Sequence, residues 1–416
     1  MVIFSEKKIG NALIAGIVIL TIFYNIGAGA CIFFNVNPSL FNFFYKIVGT
    51  FLVFYALVGG LLLNKKRPVP KAALVAVAFW FLYTIRLLYD IEIAKVPFGF
   101  TKLEVYSFAF GGSLNISLAI IVCSSSIDLG RLMRIFKKVL ILDNLIIVGL
   151  LILKSGQLDI TTLFLRRSYF STDAEDVATI NSITIAINGA LLMLVVIIDM
   201  WFRNQATEKN NSRSPKKINI LLLALGLVNL LLGGSRGPFL FFGLLFFMLL
   251  IVKLKRNRFN VVFILKAGIL VFVSAGIFLY FFGNLLTVEN FALFNRLSSI
   301  SESSDPSDAS RANQLQSAWS QFLSSPIIGD RFVERVSDFY PHNIILEVLM
   351  ATGIIGFSVF IVFAFRSVYK SFANLRDKRD NYQLKLSVIN LFFFCLFALL
   401  PVVFGTAWSF GYFRCL

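Results

Sequence analysis

Residues 218–252 read INILLLALGLVNLLLGGSRGPFLFFGLLFFMLLIV, and this stretch decides the class of protein. A helix crosses a hydrocarbon core of roughly 30 Å with about 20 apolar residues, so the stretch is too long for one crossing. The segment GGSRGP at 233–238 separates two apolar runs. The sequence therefore predicts a tight hairpin of two membrane-spanning helices, over 218–233 and 237–252.

The same pattern recurs along the chain. Hydrophobic residues fill 58% of its 416 positions and charged residues 15%, whereas a soluble domain carries about a quarter charged residues. A soluble protein could not bury that much apolar surface, so we expect an all-α integral membrane protein with about eleven transmembrane helices. Apolar runs between charged or turn clusters predict spans near 9–33, 39–63, 70–89, 105–127, 139–153, 177–202, 218–233, 237–252, 259–284, 342–365 and 386–405.

The net charge of +17 has a topological explanation. In a soluble chain such a charge would suggest nucleic-acid binding. If the N-terminus lies inside, however, most of the 39 Lys and Arg residues fall in the inner loops, as expected for cytoplasmic loops. We therefore expect membrane lipid, and no nucleic acid, around this chain.

Two predicted outer loops are long enough to be more than connectors, 154–176 and 285–341. The second contains a polar, turn-rich stretch and then a helical pattern from Ser310 to Ser324, ended by Pro326 and Gly329. We expect this helix to be amphipathic and to lie on the membrane surface with its apolar face down. The residues predicted on that face are Leu315, Ala318, Trp319 and Phe322.

This loop divides the chain into three parts. Residues 1–284 hold the first nine predicted spans, 285–341 form an extracytoplasmic loop with the interfacial helix, and 342–416 hold the last two spans.

No soluble-enzyme motif is present. The candidates for a chemical role are therefore charged or polar residues within or beside the apolar spans, where such residues are rare. Arg236 lies between two apolar helices, where an arginine is costly unless it faces a cavity or a partner. The neighbouring glycines allow close approach of a ligand, and Gly237-Pro238 opens a helix whose N-terminal amides attract anions. This arrangement favours a phosphate or pyrophosphate site. The alternative is an arginine that snorkels to the interface and caps the hairpin.

His342 is the single histidine of the chain and begins a predicted span. It is a candidate general base, or a hydrogen-bond donor to phosphate. The alternative is a polar residue at head-group depth. Asn343 and Glu347 follow one helical turn apart.

Arg311, near the start of the interfacial helix, and Arg166, in the shorter outer loop, are further candidates. Each alone has an ordinary alternative interpretation, as a solvated surface charge. The four cysteines are scattered without a CxxC pair, so the sequence indicates neither a zinc site nor a disulfide framework.

Together these features resemble the bacterial O-antigen ligase and polymerase family. The resemblance covers about 230–360, and a weaker likeness runs from Arg166 through Asn181-Ser182-Ile183, where Ser182 replaces a proline frequent in the family. Met350-Ala351 also departs from the family, in which an acidic residue is frequent. The segments that carry the resemblance are Ser235-Arg236-Gly237, Arg311 with Trp319, Pro326-Ile327-Ile328-Gly329, His342-Asn343, Leu346-Glu347 and Thr352-Gly353-Ile354-Ile355-Gly356.

The resemblance implies a GT-C-like, metal-independent and inverting glycosyltransferase without a cofactor. Its donor and acceptor would be glycans carried on undecaprenyl pyrophosphate. Arg236 and Arg311 would clamp the pyrophosphate, and His342 would activate the acceptor hydroxyl or hold the phosphate. The residues expected to assist in substrate binding are Arg166, Asn343, Glu347 and Trp319.

Three functions stay open at this point. A polymerase of O-antigen or capsular repeat units is preferred, with a chain-length regulator protein as a candidate partner. An O-antigen ligase would transfer the polymer to lipid A-core with the same donor. A polysaccharide or lipid flippase is the competing class, although the sequence contains no internal repeat typical of transporters. The enzyme interpretations place the protein in the bacterial inner membrane with its active site facing the periplasm.

Overall fold

The structure is a computed structural model. It describes residues 4–63, 71–123, 126–155, 180–202, 216–256, 306–376 and 381–398, except positions 22, 35, 37, 100, 107–109, 111–113 and 342. The predicted span 259–284 and residues 399–405 of the last predicted span lie outside these ranges. Arg166 and His342 lie outside them too, and the side chains of Arg236 and Arg311 are not described.

Every regular element along the described residues is helical. The helices are α1 (Glu6–Thr21), α2 (Phe23–Phe34), α3 (Pro38–Leu63), α4 (Lys71–Leu88, continued by a π-turn at Tyr89–Ile93), α5 (Lys102–Tyr106), α6 (Asn115–Cys123), α7 (Leu129–Ser155), α8 (Ser182–Trp201), α9 (Lys216–Leu232), α10 (Arg236–Arg256), α11 (Pro306–Ser324), α12 (Ile344–Arg376) and α13 (Asn381–Ala398).

Five helical segments among the described residues are long and apolar enough to cross a membrane: Phe44–Leu63, Leu74–Ile93, Ser182–Trp201, Gly237–Leu254 and Ile344–Leu375. A sixth crossing is formed if Glu6–Leu20 and Asn25–Phe34, which meet at a bend of 56°, act as one broken span. The predicted all-helical membrane class is therefore confirmed. The count of eleven spans and the GT-C-like arrangement stay predictions.

Helix α8 lies at the centre of the bundle. Almost all of its residues are buried, and it packs against α7, α9, α10 and α13. Its closest crossing is with α9, where a Cβ on Gly189 would lie 2.5 Å from the Gly226 carbonyl oxygen. Small residues at such crossings let two backbones approach. Two helices separated by a turn cover the predicted 218–252 hairpin, but of the two only α10 is long and apolar enough to cross a membrane. Both pack more extensively on α8 than on each other.

A chain of buried polar side chains joins α7, α8 and α9. Asn188 Nδ2 donates to Asp143 Oδ2 at 2.6 Å, and Asn229 Nδ2 donates to Asn144 Oδ1 at 2.8 Å. Asn144 Nδ2 donates to the Asn188 carbonyl oxygen at 3.2 Å. Amides buried in an apolar bundle are costly unless they are paired, so these contacts select one mutual arrangement of the three helices.

Helix α11 confirms the predicted helix from Ser310 to Ser324 and begins one turn earlier, at Pro306. Ala318 and Phe322 are buried, and α11 packs against α12. Trp319 stays 47% exposed. The predicted orientation of the apolar face toward the membrane is therefore wrong for Ala318 and Phe322, because the protein itself covers these side chains.

Helix α12 is broken at Gly353, which has φ 61° and ψ −164°. Residues 325–331, here named the insertion loop, dock into this break. The Ile354 amide donates to the Pro326 carbonyl oxygen at 2.8 Å, and the Asp330 amide donates to the Met350 carbonyl oxygen at 2.9 Å. The loop thus supplies partners for peptide groups at the break in the helical ladder.

Replacing Gly353 tests this junction. A Cβ at Gly353 would lie 2.3 Å from the Ile327 carbonyl oxygen, and the backbone conformation is one that essentially only glycine adopts. Gly353→Ala should therefore lower the thermal unfolding midpoint in detergent. Gly243→Ala is the matched control: a Cβ there meets nothing within 4 Å, and alanine raises helix propensity by about 1 kcal/mol. Equal midpoints for the two variants would contradict the docking described here.

Candidate functional site

The insertion loop is tied to α4 by a buried ion pair. Asp90 is fully buried, and its carboxylate lies 2.9 Å from Arg86 Nη2. The same carboxylate accepts a hydrogen bond from the Phe332 amide at 2.8 Å. Arg86 Nη1 also donates to the Gly329 carbonyl oxygen at 3.5 Å. The Asp90 carboxylate, at the end of a membrane-spanning helix, therefore contacts Arg86 on its own helix and Phe332 directly after the insertion loop.

An open cavity of about 1040 Å³ adjoins this ion pair. It lies where the end of α4, the insertion loop and the break in α12 meet. Its walls are mostly apolar, and its charged groups come from three arginines and two aspartates. The lining residues are Leu82, Ile85, Arg86, Tyr89, Asp90, Ala94, Val96, Ile328, Gly329, Asp330, Arg331, Arg335, Ala351, Thr352, Ile355 and Gly356.

The three arginines of the cavity differ in how well carboxylates satisfy them. Arg86 is paired with Asp90. Arg335 makes two hydrogen bonds to Asp330, each of 2.8 Å, and this carboxylate raises the pKa of the Arg335 guanidinium. Arg331 lies only within 4.0 Å of Asp330 and Asp338, and its buried Nε has no hydrogen-bond partner among the described residues. Arg331 is therefore the guanidinium with the most capacity to bind an external anion.

Three of the residues predicted from sequence have described side chains. Glu347 is buried and accepts a hydrogen bond from the Tyr83 hydroxyl at 2.8 Å. Asn343 caps α12, because its Oδ1 accepts from the Ile345 and Leu346 amides at 3.0 and 3.2 Å. Trp319 stands exposed on α11, 5.3 Å from the Phe322 ring. Asn343 thus directly precedes α12 and Glu347 lies in its first turn, whereas Trp319 lies on the neighbouring helix α11.

The remaining predicted residues are placed only by their backbones or not at all. Arg236 is the first residue of α10, directly after the turn at Gly233-Gly234, and Arg311 lies in the second turn of α11. Their predicted contact with pyrophosphate stays a prediction. Among the predicted site residues whose side chains are described, Asn343, Glu347 and Trp319, none lines the cavity.

Sequence reasoning missed two acids, Asp90 and Glu334, that hold the insertion loop and α11 in place. Asp90 gave no sequence signal except that Arg86, a charged residue inside the predicted span 70–89, stands one helical turn before it. Glu334 is fully buried and accepts from the Ser317 hydroxyl at 2.5 Å and the Val336 amide at 2.9 Å. Burial raises the pKa of Glu334, but these hydrogen bonds, with those from Ser337, outweigh burial and lower it from its ordinary value of 4.5.

Residues 221–361 match a family model described as O-antigen ligase. The match identifies an O-antigen ligase domain. The predicted resemblance to the O-antigen ligase and polymerase family is thereby confirmed. None of the curated proteins compared with the chain matches it.

The O-antigen ligase domain runs from α9 into the second half of α12. It includes the insertion loop and every predicted site residue except Arg166. The cavity, by contrast, is built jointly by this domain and by α4, which precedes it in the chain. The multi-pass membrane character of the whole chain agrees with this family.

The ion pair at Asp90 gives a stability prediction. Arg86→Met should destabilise the protein by about 3–5 kcal/mol, because it leaves a buried carboxylate without its counter-charge. The double variant Arg86→Met with Asp90→Asn should recover most of that loss, since no unpaired charge remains and the amide oxygen still accepts from Phe332. Unfolding in detergent, followed by tryptophan fluorescence, measures both. A double variant no more stable than the single one would refute the pairing.

Glu334 gives a pH prediction. Its folded pKa lies below the ordinary value, so its stabilising effect is present above pH 4.5 and is lost as the pH falls through the folded pKa. The thermal midpoint of the wild type should therefore fall more steeply below pH 4.5 than that of Glu334→Gln. At pH 7 the wild type should be the more stable protein. Parallel pH profiles would show that the carboxylate contributes nothing specific.

Proposed function

We propose that this protein is a polysaccharide polymerase that joins repeat units carried on undecaprenyl pyrophosphate, at the outer face of the bacterial inner membrane. The observation that carries the proposal is the O-antigen ligase domain over 221–361, in which Arg236, Arg311 and His342 all lie. This domain contains the apolar span Gly237–Leu254 and the start of the span Ile344–Leu375, which suits a lipid-linked substrate. The O-antigen or capsular polymer formed by the enzyme would stay on its lipid carrier for the next step.

In the proposed reaction an acceptor sugar hydroxyl attacks the anomeric carbon of the donor glycan. A new glycosidic C–O bond forms, and the bond from the anomeric carbon to the pyrophosphate oxygen breaks. The undecaprenyl pyrophosphate departs with the electron pair, and His342 accepts the hydroxyl proton. Direct displacement inverts the configuration at the anomeric carbon.

Arg236 and Arg311 would stabilise the charge that develops on the pyrophosphate. Arg236 is suited to this role by its position, since it opens α10 after a glycine turn, where helix N-terminal amides add to the positive potential. Arginines of this kind balance the leaving group without a metal ion. Arg166, Asn343, Glu347 and Trp319 are proposed as supporting groups, of which Asn343 and Glu347 would act by holding the start of α12.

An O-antigen ligase is the second candidate, favoured by the description of the matched family model itself. It would use the same donor and the same arginines, but transfer finished polymer to lipid A-core. A chain-length regulator is proposed as a partner only for the polymerase.

Genetic complementation tests the proposal. In a strain without its native polymerase, the wild-type gene should restore a ladder of repeat units on a gel of surface polysaccharide, and His342→Ala should not. Arg236→Lys should also lose the ladder, because lysine cannot make the bidentate contact; an oxyanion contact of this kind is worth roughly 100-fold to 1000-fold in rate.

Arg134→Lys is the matched control, because Arg134 is 58% exposed on α7 and far from the proposed site in sequence. It should keep the ladder. Restoration of polymer transfer in a ligase-deficient strain, without a ladder in the polymerase-deficient one, would favour the ligase. A full ladder from His342→Ala would refute the catalytic assignment.

A further inference from the structure

The cavity beside the insertion loop has the character of a lipid-phosphate site. Ile85 and Tyr89 of α4 and Ile355 of α12 line it, and all three side chains are about half exposed. Both helices are long and apolar enough to cross a membrane, so an exposed apolar wall on them is suited to contact with lipid chains. An apolar wall with a guanidinium at its end matches an apolar chain with an anionic head.

Arg331 is the group that would meet the anion. The carboxylates of Asp90 and Asp330 are engaged by Arg86 and Arg335 at 2.8–3.1 Å. Arg331 is only 16% exposed, has its nearest carboxylate oxygens at 4.0 Å, and its buried Nε has no partner among the described residues. The charged groups that line the cavity therefore leave one positive charge in excess, and it resides on the least satisfied arginine.

We infer that this cavity binds the polyprenyl pyrophosphate of the acceptor, the second lipid-linked substrate, with Arg331 on its phosphate and the apolar wall along its chain. The inference rests on the proposed function, since a polymerase needs two such lipids at once. The proposed function assigns the donor pyrophosphate to Arg236 and Arg311, and the described lining of this cavity supplies a further guanidinium, that of Arg331.

The position of the cavity along α12 agrees with an acceptor role. Thr352 lines the cavity and lies eight residues after Ile344, where α12 begins. At a rise of 1.5 Å per residue these positions are about 12 Å apart. An acceptor held by its pyrophosphate at Arg331 would therefore extend its oligosaccharide toward the start of α12. The sugar that reacts is at the far end of that oligosaccharide and would then lie near Asn343, directly before α12.

The number of bound lipids tests the inference. The full-length protein in detergent is titrated with undecaprenyl phosphate, and bound lipids are counted by native mass spectrometry. The wild type should bind two, and Arg236→Gln and Arg331→Gln should each bind one. The double variant should bind none. Loss of a charge-assisted contact should weaken the affected site roughly tenfold to a hundredfold.

The variant Ile328→Trp tests the apolar wall and leaves every charged residue unchanged. Ile328 is 65% exposed in the insertion loop, so Ile328→Trp should fold and should narrow the cavity. It should weaken the same site as Arg331→Gln. Arg134→Gln, at an exposed position on α7, should still bind two lipids. Thermal midpoints verify that each variant is folded.

The outcomes separate this inference from the proposed function. If the wild type binds one lipid and only Arg236→Gln loses it, the acceptor site is overturned and the proposed polymerase function stands. A wild type that binds none would overturn both. Two bound lipids in both Arg331→Gln and Ile328→Trp would overturn the acceptor site. Equal displacement by phosphatidylglycerol would also overturn it, since the cavity would then hold ordinary bilayer lipid.

Discussion

The junction of α4, α12 and the insertion loop depends on how the peptide groups around Gly353 are satisfied. A helix that breaks at membrane depth leaves amides and carbonyls that hydrocarbon cannot pair. Here the insertion loop supplies those partners, through the bonds at Pro326 and Asp330. The loop can do so only because Gly353 allows a backbone approach that a Cβ would block. The break in α12 and the docked position of the insertion loop therefore depend on each other.

The ion pair at Asp90 extends this dependence to a third element. Phe332, directly after the insertion loop, donates to the carboxylate that Arg86 neutralises. The loop is thus fixed on one side by α12 and on the other by α4, and the cavity is the space left between the three. Its mixed character follows from this origin, because apolar walls come from two membrane helices and charge comes from the junction that joins them to the loop.

Hydropathy could predict the helices but not the contacts that place the site. The predicted spans 177–202 and 342–365 correspond to α8 and α12 within a few residues at their starts, because crossing a bilayer imposes a length that sequence displays directly. The turn around Arg236 was predicted for the same reason, since it divides an apolar stretch too long for one crossing. The helix after Ser310 was predicted from its helical pattern of apolar residues. Asp90 and Phe332, however, are separated by 242 positions, and no local sequence pattern indicates that they are in contact. Trp319 and Phe322 share a predicted face, yet the fold covers one and exposes the other.

The polar chain through Asp143, Asn144, Asn188 and Asn229 has a consequence for biogenesis. Each of these helices, released alone into lipid, would carry an amide or a carboxyl with no partner in another helix. The three helices α7, α8 and α9 follow one another among the described elements, so the partners emerge from the ribosome in succession. We therefore expect the insertion machinery to release them as a group, with the centre of the bundle assembled before residues 306–376 are made.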